Sequence, residues 1–382
     1  MSKLIQVLQN GVHAHQNGNF DTARKYYTEV LNIQPNNSQA NYNLGLIETK
    51  LKKHSAATNF FKIATETNPK VEQFWLSYIF NLADQKRFVE AKKMLSKAKE
   101  NIQNNNNILK LEEELELLIQ NDQTEELYYL FKNNNDEEAM QEAKNVTNKF
   151  PKNLLAWKIL GSLYQSNKNY EQSIQCLQIA LDLAPNDPEI YNNLGVTLET
   201  KGNLKEAKVY FQKAIELNGN YGEAYFNLAN ILNKVKKYEE AEFSYKQAIK
   251  NNPDFSKALN NYANFLLKQN RFEEANINFL KAISLEKNNA DFFYNYGNSL
   301  YELNKLDDAE KNIKQAIRLN PKNSKFYNNL ANVLSLQNKL EEAKFHYNQA
   351  IKCDPDYAEA YSNLANTLQL EKNFLEAIKN YD

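Results

Sequence analysis

Cysteine is nearly missing from this chain: 382 residues hold two, Cys176 and Cys353. So distant a pair offers no disulfide framework, and a reducing, cytoplasmic setting is the expectation. Long apolar runs are missing too. Nothing approaches the roughly 18 uninterrupted apolar residues of a membrane span, and the opening MSKLIQVLQN lacks the apolar core of a signal peptide. No membrane partner is expected. Neither charge is in excess, since 46 Lys and Arg face 47 Asp and Glu for a formal net charge of −1. A nucleic-acid surface needs clustered Lys and Arg, so nucleic acid is not an expected partner. The small cluster Lys234, Lys236 and Lys237 reads as a solvated loop.

Residues that build catalytic and cofactor sites are equally thin. There are nine glycines, and each falls at a recurring place, in a turn or at a unit boundary, leaving none for a phosphate-cradling GxxxxGK or GxGxxG loop. Of four histidines, His13 and His15 point to different helix faces, while His54 and His346 have no Cys or His at ligand spacing. Cys176 lacks the surroundings of an activated nucleophile. Most carboxylates lie in runs such as LKEA (204–207) and YEEA (238–241), where acidic residues favour a helix start. No catalytic residue, metal, cofactor or small-molecule substrate is expected, and the chain reads as a non-enzyme.

What is present is a period. Pro35 and Pro69 stand 34 residues apart, as do Pro151 and Pro185, and Pro321 and Pro355; Pro185, Pro253 and Pro321 are spaced by twice that. On this ruler units begin at 4, 38, 72, 120, 154, 188, 222, 256, 290, 324 and 358, ten complete and an eleventh that stops early. The eighth position is small (Gly11, Gly45, Gly161, Gly195, Ala229, Ala263, Gly297, Ala331, Ala365). The twentieth is Ala nearly throughout, from Ala23 to Ala377, and the twenty-seventh is Ala from Ala180 to Ala350. Large residues alternate with these, among them Leu194 and Leu228 at the seventh position and Phe211 and Tyr245 at the twenty-fourth. Small residues let two helices approach while large ones fill the groove beside them. Apolar spacing of three or four predicts two helices per unit, with Gly or Asn turning the chain between them and Pro stopping the second.

The period, the small positions, the aromatic fourth position (Trp75, Trp157, Tyr191, Tyr225, Tyr361) and the terminal Pro resemble the tetratricopeptide repeat over nearly the whole chain. That resemblance implies an all-α fold, a right-handed α-solenoid of helix pairs whose first helices line a concave surface. Units three and four are parted by residues 106–119, where Ile108, Leu111, Leu115 and Leu118 share one face of a predicted extra helix. The expected organisation is an N-terminal block of three repeats (4–105), an inserted helix or irregular connector (106–119), and a block of seven full repeats and a truncated one (120–382).

One polar pattern stands out on the first helices. The sixth position reads Asn193, Asn227, Asn261, Asn295, Asn329 and Asn363, and the ninth reads Asn230, Asn264, Asn298, Asn332 and Asn366. Residues three apart share a face, so each unit presents paired carboxamides, which can bond a peptide N–H and C=O together. Such a ladder suits protein or extended peptide held by its backbone in the groove, flanked by Phe226, Leu267, Tyr294 and Tyr301; repeat duplication alone would also copy Asn along the chain. The second position is Glu189, Glu223, Lys257, Asp291, Lys325 and Glu359, which assembles no basic clamp for a terminal carboxylate. The motifs YNNLG (191–195) and YSNLANTL (361–368) resemble the solenoids of O-GlcNAc transferase-like glycosyltransferases, and similar repeats accompany sulfotransferase domains. That resemblance implies an alternative to a free-standing interaction scaffold: the substrate-recognition arm of a larger transferase.

Overall fold

A computed structural model describes residues 2–102 and 105–370. Among the described residues every regular element is a helix. In the first part of the chain these are α1 (Ser2–Gln16), α2 (Phe20–Ile33), α3 (Ser38–Lys50), α4 (His54–Thr67), α5 (Glu72–Asp84), α6 (Phe88–Asn101), α7 (Asn106–Lys132) and α8 (Asp136–Lys149). They are followed by α9 (Leu154–Ser166), α10 (Tyr170–Leu183), α11 (Pro188–Thr200), α12 (Leu204–Leu217), α13 (Gly222–Lys234) and α14 (Tyr238–Asn251). The last are α15 (Ser256–Lys268), α16 (Phe272–Leu285), α17 (Ala290–Glu302), α18 (Leu306–Leu319), α19 (Ser324–Leu336), α20 (Leu340–Cys353) and α21 (Ala358–Leu370). Two compact units are formed, with the division between Ile159 and Leu160, inside α9. Ala377 and the second helix of the eleventh repeat lie outside the described residues.

Within each unit helices adjacent in sequence pack together, most closely the two helices of a repeat, as in α3 with α4, α11 with α12, α13 with α14 and α17 with α18. The small positions explain this intimacy. Ala207, Ala214, Ala241, Ala248, Ala275 and Ala282 are all fully buried. At Gly195 a Cβ would come within 2.5 Å of the Phe211 ring, and Gly45 faces Phe61 at the same distance. Side chains from three successive helices then close one core, as where Phe211 meets Leu198, Leu228 and Ala229.

The turn inside each repeat depends on one residue. At the fifteenth position φ is positive in all ten complete repeats, at Gly18, Lys52, Lys86, Asn134, Lys168, Gly202, Lys236, Asn270, Asn304 and Asn338. This left-handed residue lets the following N–H reach back five residues, as from Lys53 to Glu48 (2.8 Å) and from Lys237 to Leu232 (2.8 Å), closing the helix end. Lys236 is therefore the turn itself. Between repeats, several first helices are opened by a side chain that accepts from the backbone: Asn37, Asn153, Asp187, Asn289 and Asn323 do so at 2.9–3.2 Å.

The inserted segment departs from the expectation of a separate helix. Residues 106–119 and the first helix of the fourth repeat are one helix, the 27-residue α7. No Gly or Pro interrupts 106–132, so the helix has nothing to stop it. Its buried face runs Ile108, Leu111, Leu115, Ile119 and Leu127, while Leu118 is 42% exposed. The step after Leu115 is four residues, to Ile119, which corrects the face drawn through Leu118. Lys92, Lys99 and Lys86 pair with Glu116, Glu112 and Asp122 along its polar side.

Candidate functional site

In the second unit the first helices of successive repeats touch one another directly: α11 with α13, α13 with α15, α15 with α17, α17 with α19, and α19 with α21. Among the described residues no pair of second helices comes as close. The first-helix side is therefore the narrower one, and it carries the asparagines. Their side chains are half-buried from Asn193 to Asn363, and Asn366 is exposed.

The carboxamides are tied between repeats, where the sequence pattern pairs them within one helix. Nδ2 of Asn261 donates to Oδ1 of Asn230 at 3.2 Å, Asn329 to Asn298 at 3.0 Å, and Asn363 to Asn332 at 3.3 Å. Asn227, Asn295 and Asn363 donate instead, or as well, to Asn192, Asn260 and Asn328 at the fifth position, at 3.0–3.1 Å. Tyr245 and Tyr347, reaching over from second helices, donate to Asn230 (2.8 Å) and Asn332 (2.7 Å). Burial raises both phenols above their usual range, to about 12 for Tyr347, so they remain donors at neutral pH.

Asn192, Asn260 and Asn328 were not singled out by the ladder pattern, because the fifth position varies. It varies in step, however. Asn192, Asn260 and Asn328 alternate with Phe226, Tyr294 and Ser362, so the acceptor recurs every second repeat. These three asparagines are almost wholly buried, at 4%, 7% and 0% exposed, and Phe226 and Tyr294 lie tilted against Phe255 and Phe326 at centroid distances of 4.9 and 4.7 Å. Asn328→Ala is expected to lower stability by about 1 kcal/mol, since the buried Asn328 accepts from half-buried Asn363 and donates to exposed Glu359. Urea unfolding followed by circular dichroism reads this, and an unchanged midpoint would contradict it.

The asparagines are not used up by these ties. A carboxamide has two N–H donors and a carbonyl, and Asn261 and Asn295 each give one donor to the neighbouring repeat. Asn264 has no hydrogen-bonding partner among the described residues. These three, with Asn230 and Asn233, line a depression of about 610 Å³ rimmed by Lys234 and Lys268 and floored in part by Leu267. Lys234 is held by Glu199 at 2.6 Å.

Among the described residues no group of three His, Cys, Asp or Glu could hold a metal ion, and no helix is long and apolar enough to cross a membrane. Cys176 is buried and its thiol is pushed up to about 11 by that burial, which keeps it protonated. His54 heads α4, where its ring meets Asn81 at 3.2 Å, and Cys353 is exposed.

Sequence profiles described as Tetratricopeptide repeat match residues 188–221 and 222–255, 244–275 and 312–345, 290–323, and 8–72. Another, described as TPR repeat, matches 161–202 and 331–370. Together they span well over half the chain. The chain is a tetratricopeptide-repeat protein. Among solved structures this repeat protein is similar to the APC/C hetero-tetramer Cut9–Hcn1, with a TM-score of 0.52 at 11% identity over 99% of this chain and 92% of that one. It is also similar to yeast Tom70, with a TM-score of 0.44 at 16% identity over 99% and 91% of the two chains. YrrB, described as a TPR protein with an unusual peptide-binding site, gives a TM-score of 0.44 at 20% identity over 52% of this chain and 99% of its own. At these identities the Cut9–Hcn1 likeness bears on the fold alone. A comparison with curated proteins returns no match.

Proposed function

We propose that this repeat protein is a non-enzymatic interaction scaffold that holds extended polypeptide against the first helices of its second unit. The observation that carries the reading is the depression of about 610 Å³ in which Asn230, Asn261, Asn264 and Asn295 converge, with hydrogen-bonding capacity left over after the repeats are tied together. Neutral amides bond a peptide backbone in both directions and carry a smaller desolvation cost than charged groups would. The ties between repeats fix the carboxamides before a ligand arrives, so little side-chain entropy is lost on binding. On this reading Asn264 and the outward donors of Asn261 and Asn295 hold the backbone, and Leu267 lies under a side chain. Asn193, Asn227, Asn298, Asn329, Asn332, Asn363 and Asn366 extend the same track. The alternative of an arm serving a larger transferase rests on motif resemblance and draws nothing further from this geometry.

Asn264→Ala separates binding from folding, because that side chain ties nothing together. It is expected to weaken binding to an array of unstructured peptides about three- to tenfold, as the loss of one or two hydrogen bonds predicts. Helicity and unfolding should not change. Array binding equal to that of the unaltered protein would remove the asparagine track from consideration.

A further inference from the structure

Away from the asparagines, the fourth position of several repeats in both units is held by the proline that ends the preceding repeat. Asn41, Trp75, Trp157, Tyr191 and Tyr327 each donate to the carbonyl of a proline six residues earlier, at 2.8–3.2 Å. In the sixth and tenth repeats the ring is also covered by a ring from the twenty-third position. Tyr210 lies over Tyr191 and His346 over Tyr327, each at a centroid distance of 6.1 Å. The seventh repeat keeps the tyrosine, Tyr225, and lacks both supports. Gly219 stands where the proline would be, and among the described residues the Tyr225 hydroxyl has no partner. The covering position is Ser244, whose small side chain turns its hydroxyl to the Glu240 carbonyl at 2.8 Å.

The space so vacated is a cavity of about 510 Å³ between α12 and α14, floored by Tyr225, Leu228 and Leu232 and walled by Ile215 and Phe243. Phe243 is 59% exposed at its mouth. Beside the next such groove, between α14 and α16, a tyrosine hydroxyl donates to Glu242 at 3.1 Å. Tyr262 stands there in place of Leu228, and Arg271 bridges to Glu242 at 2.9 Å.

We propose that this socket receives an aromatic side chain from a partner polypeptide that carries a basic residue beside it. The ring follows from the repeat itself: in the sixth and tenth repeats the equivalent space holds the chain's own Tyr or His. A guest ring would lie on Tyr225, cover Phe243 and gain the tilted or stacked geometry that aromatic pairs favour. The basic neighbour follows from the rim, which is formed by Glu239 and Glu240. Lys237 and Lys208 engage Glu240 at 2.6 and 3.5 Å, whereas Glu239 has no ion pair among the described residues and is exposed. A cation next to the guest ring meets Glu239, and an anionic neighbour is repelled. The socket lies among the second helices, so it stands or falls independently of the asparagine track.

The test titrates the full chain with three blocked tripeptides, Lys-Trp-Lys, Lys-Ala-Lys and Glu-Trp-Glu, by ligand-observed NMR. The first is expected to bind about tenfold more tightly than either of the others, an interval matching one aromatic contact or one favourable charge pair. Ser244→Tyr installs the residue that the sixth repeat already tolerates, and it should cost the first peptide about tenfold in affinity while unfolding stays as before. Undiminished binding to that variant, or no detectable binding of Lys-Trp-Lys to the unaltered chain, overturns the proposal. Should Ser244→Tyr unfold, the exposed Glu239→Lys substitution decides: preference must shift from Lys-Trp-Lys toward Glu-Trp-Glu, and an unshifted preference overturns the assignment.

Discussion

Cutting Phe211 back to alanine is expected to destabilise the second unit by about 3–5 kcal/mol. The ring is wholly buried, and it fills the place left by having no side chain at Gly195. It also reaches across the repeat boundary into the core shared with Leu228 and Ala229. Two helix pairs lean on one side chain, so neither can close the hole without losing its packing on the other. Because solenoids transmit stability from neighbour to neighbour, the damage should be local at first. Urea unfolding would show the loss, and amide exchange should quicken in α11 to α13 before it does in α19 and α20. A loss below about 1 kcal/mol would show that the core re-forms around alanine.

Glu310→Gln is the second large effect, and it depends on pH. Burial acts to raise the Glu310 carboxyl, but hydrogen bonds from Lys314 (2.5 Å) and Lys339 (2.9 Å) outweigh it and hold the group down at about 2. An acid whose folded value lies below its unfolded one stabilises the fold at pH above the unfolded value, and that contribution is lost as pH falls through the folded one. The unaltered chain should therefore exceed Glu310→Gln by roughly 1–3 kcal/mol at neutral pH. Solvent on the two lysines keeps the figure below what the full shift would give. The gap should narrow from about pH 4.5 down to about pH 2. Thermal unfolding of both proteins across that range checks it, and a gap independent of pH would count against the ion pairs.

The two-helix repeat was legible because each of its marks has a single physical cause. Ala207 and Ala214 are small where helices meet, and Pro185 and Pro321 stand where a second helix must end. Features that depend on which residue meets which across a boundary were not legible. Ile119 rather than Leu118 faces inward because α7 continues where a break was expected. Lys52 and Lys236 take the left-handed turn that composition reserves for Gly and Asn, because position in the repeat outweighs residue preference there. The asparagine pattern showed its residues but not its bonds, since partners lie 31 or 35 residues away on another helix.

Those bonds make the four junctions from the sixth to the tenth repeat alternate between two kinds, while the next, at Asn363, combines both. Asn192 and Asn260 accept from the following repeat, at Asn227 and Asn295. At the boundaries in between, Asn230 and Asn298 take that part, while Glu242 and Glu310 pair with Arg271 and Lys339. Across those four junctions the bonding pattern recurs every second repeat. Excising one repeat would set two unlike ends together, with a Phe or Tyr where an amide acceptor belongs. Excising two would rejoin matching ends and leave every amide with the acceptor it has now.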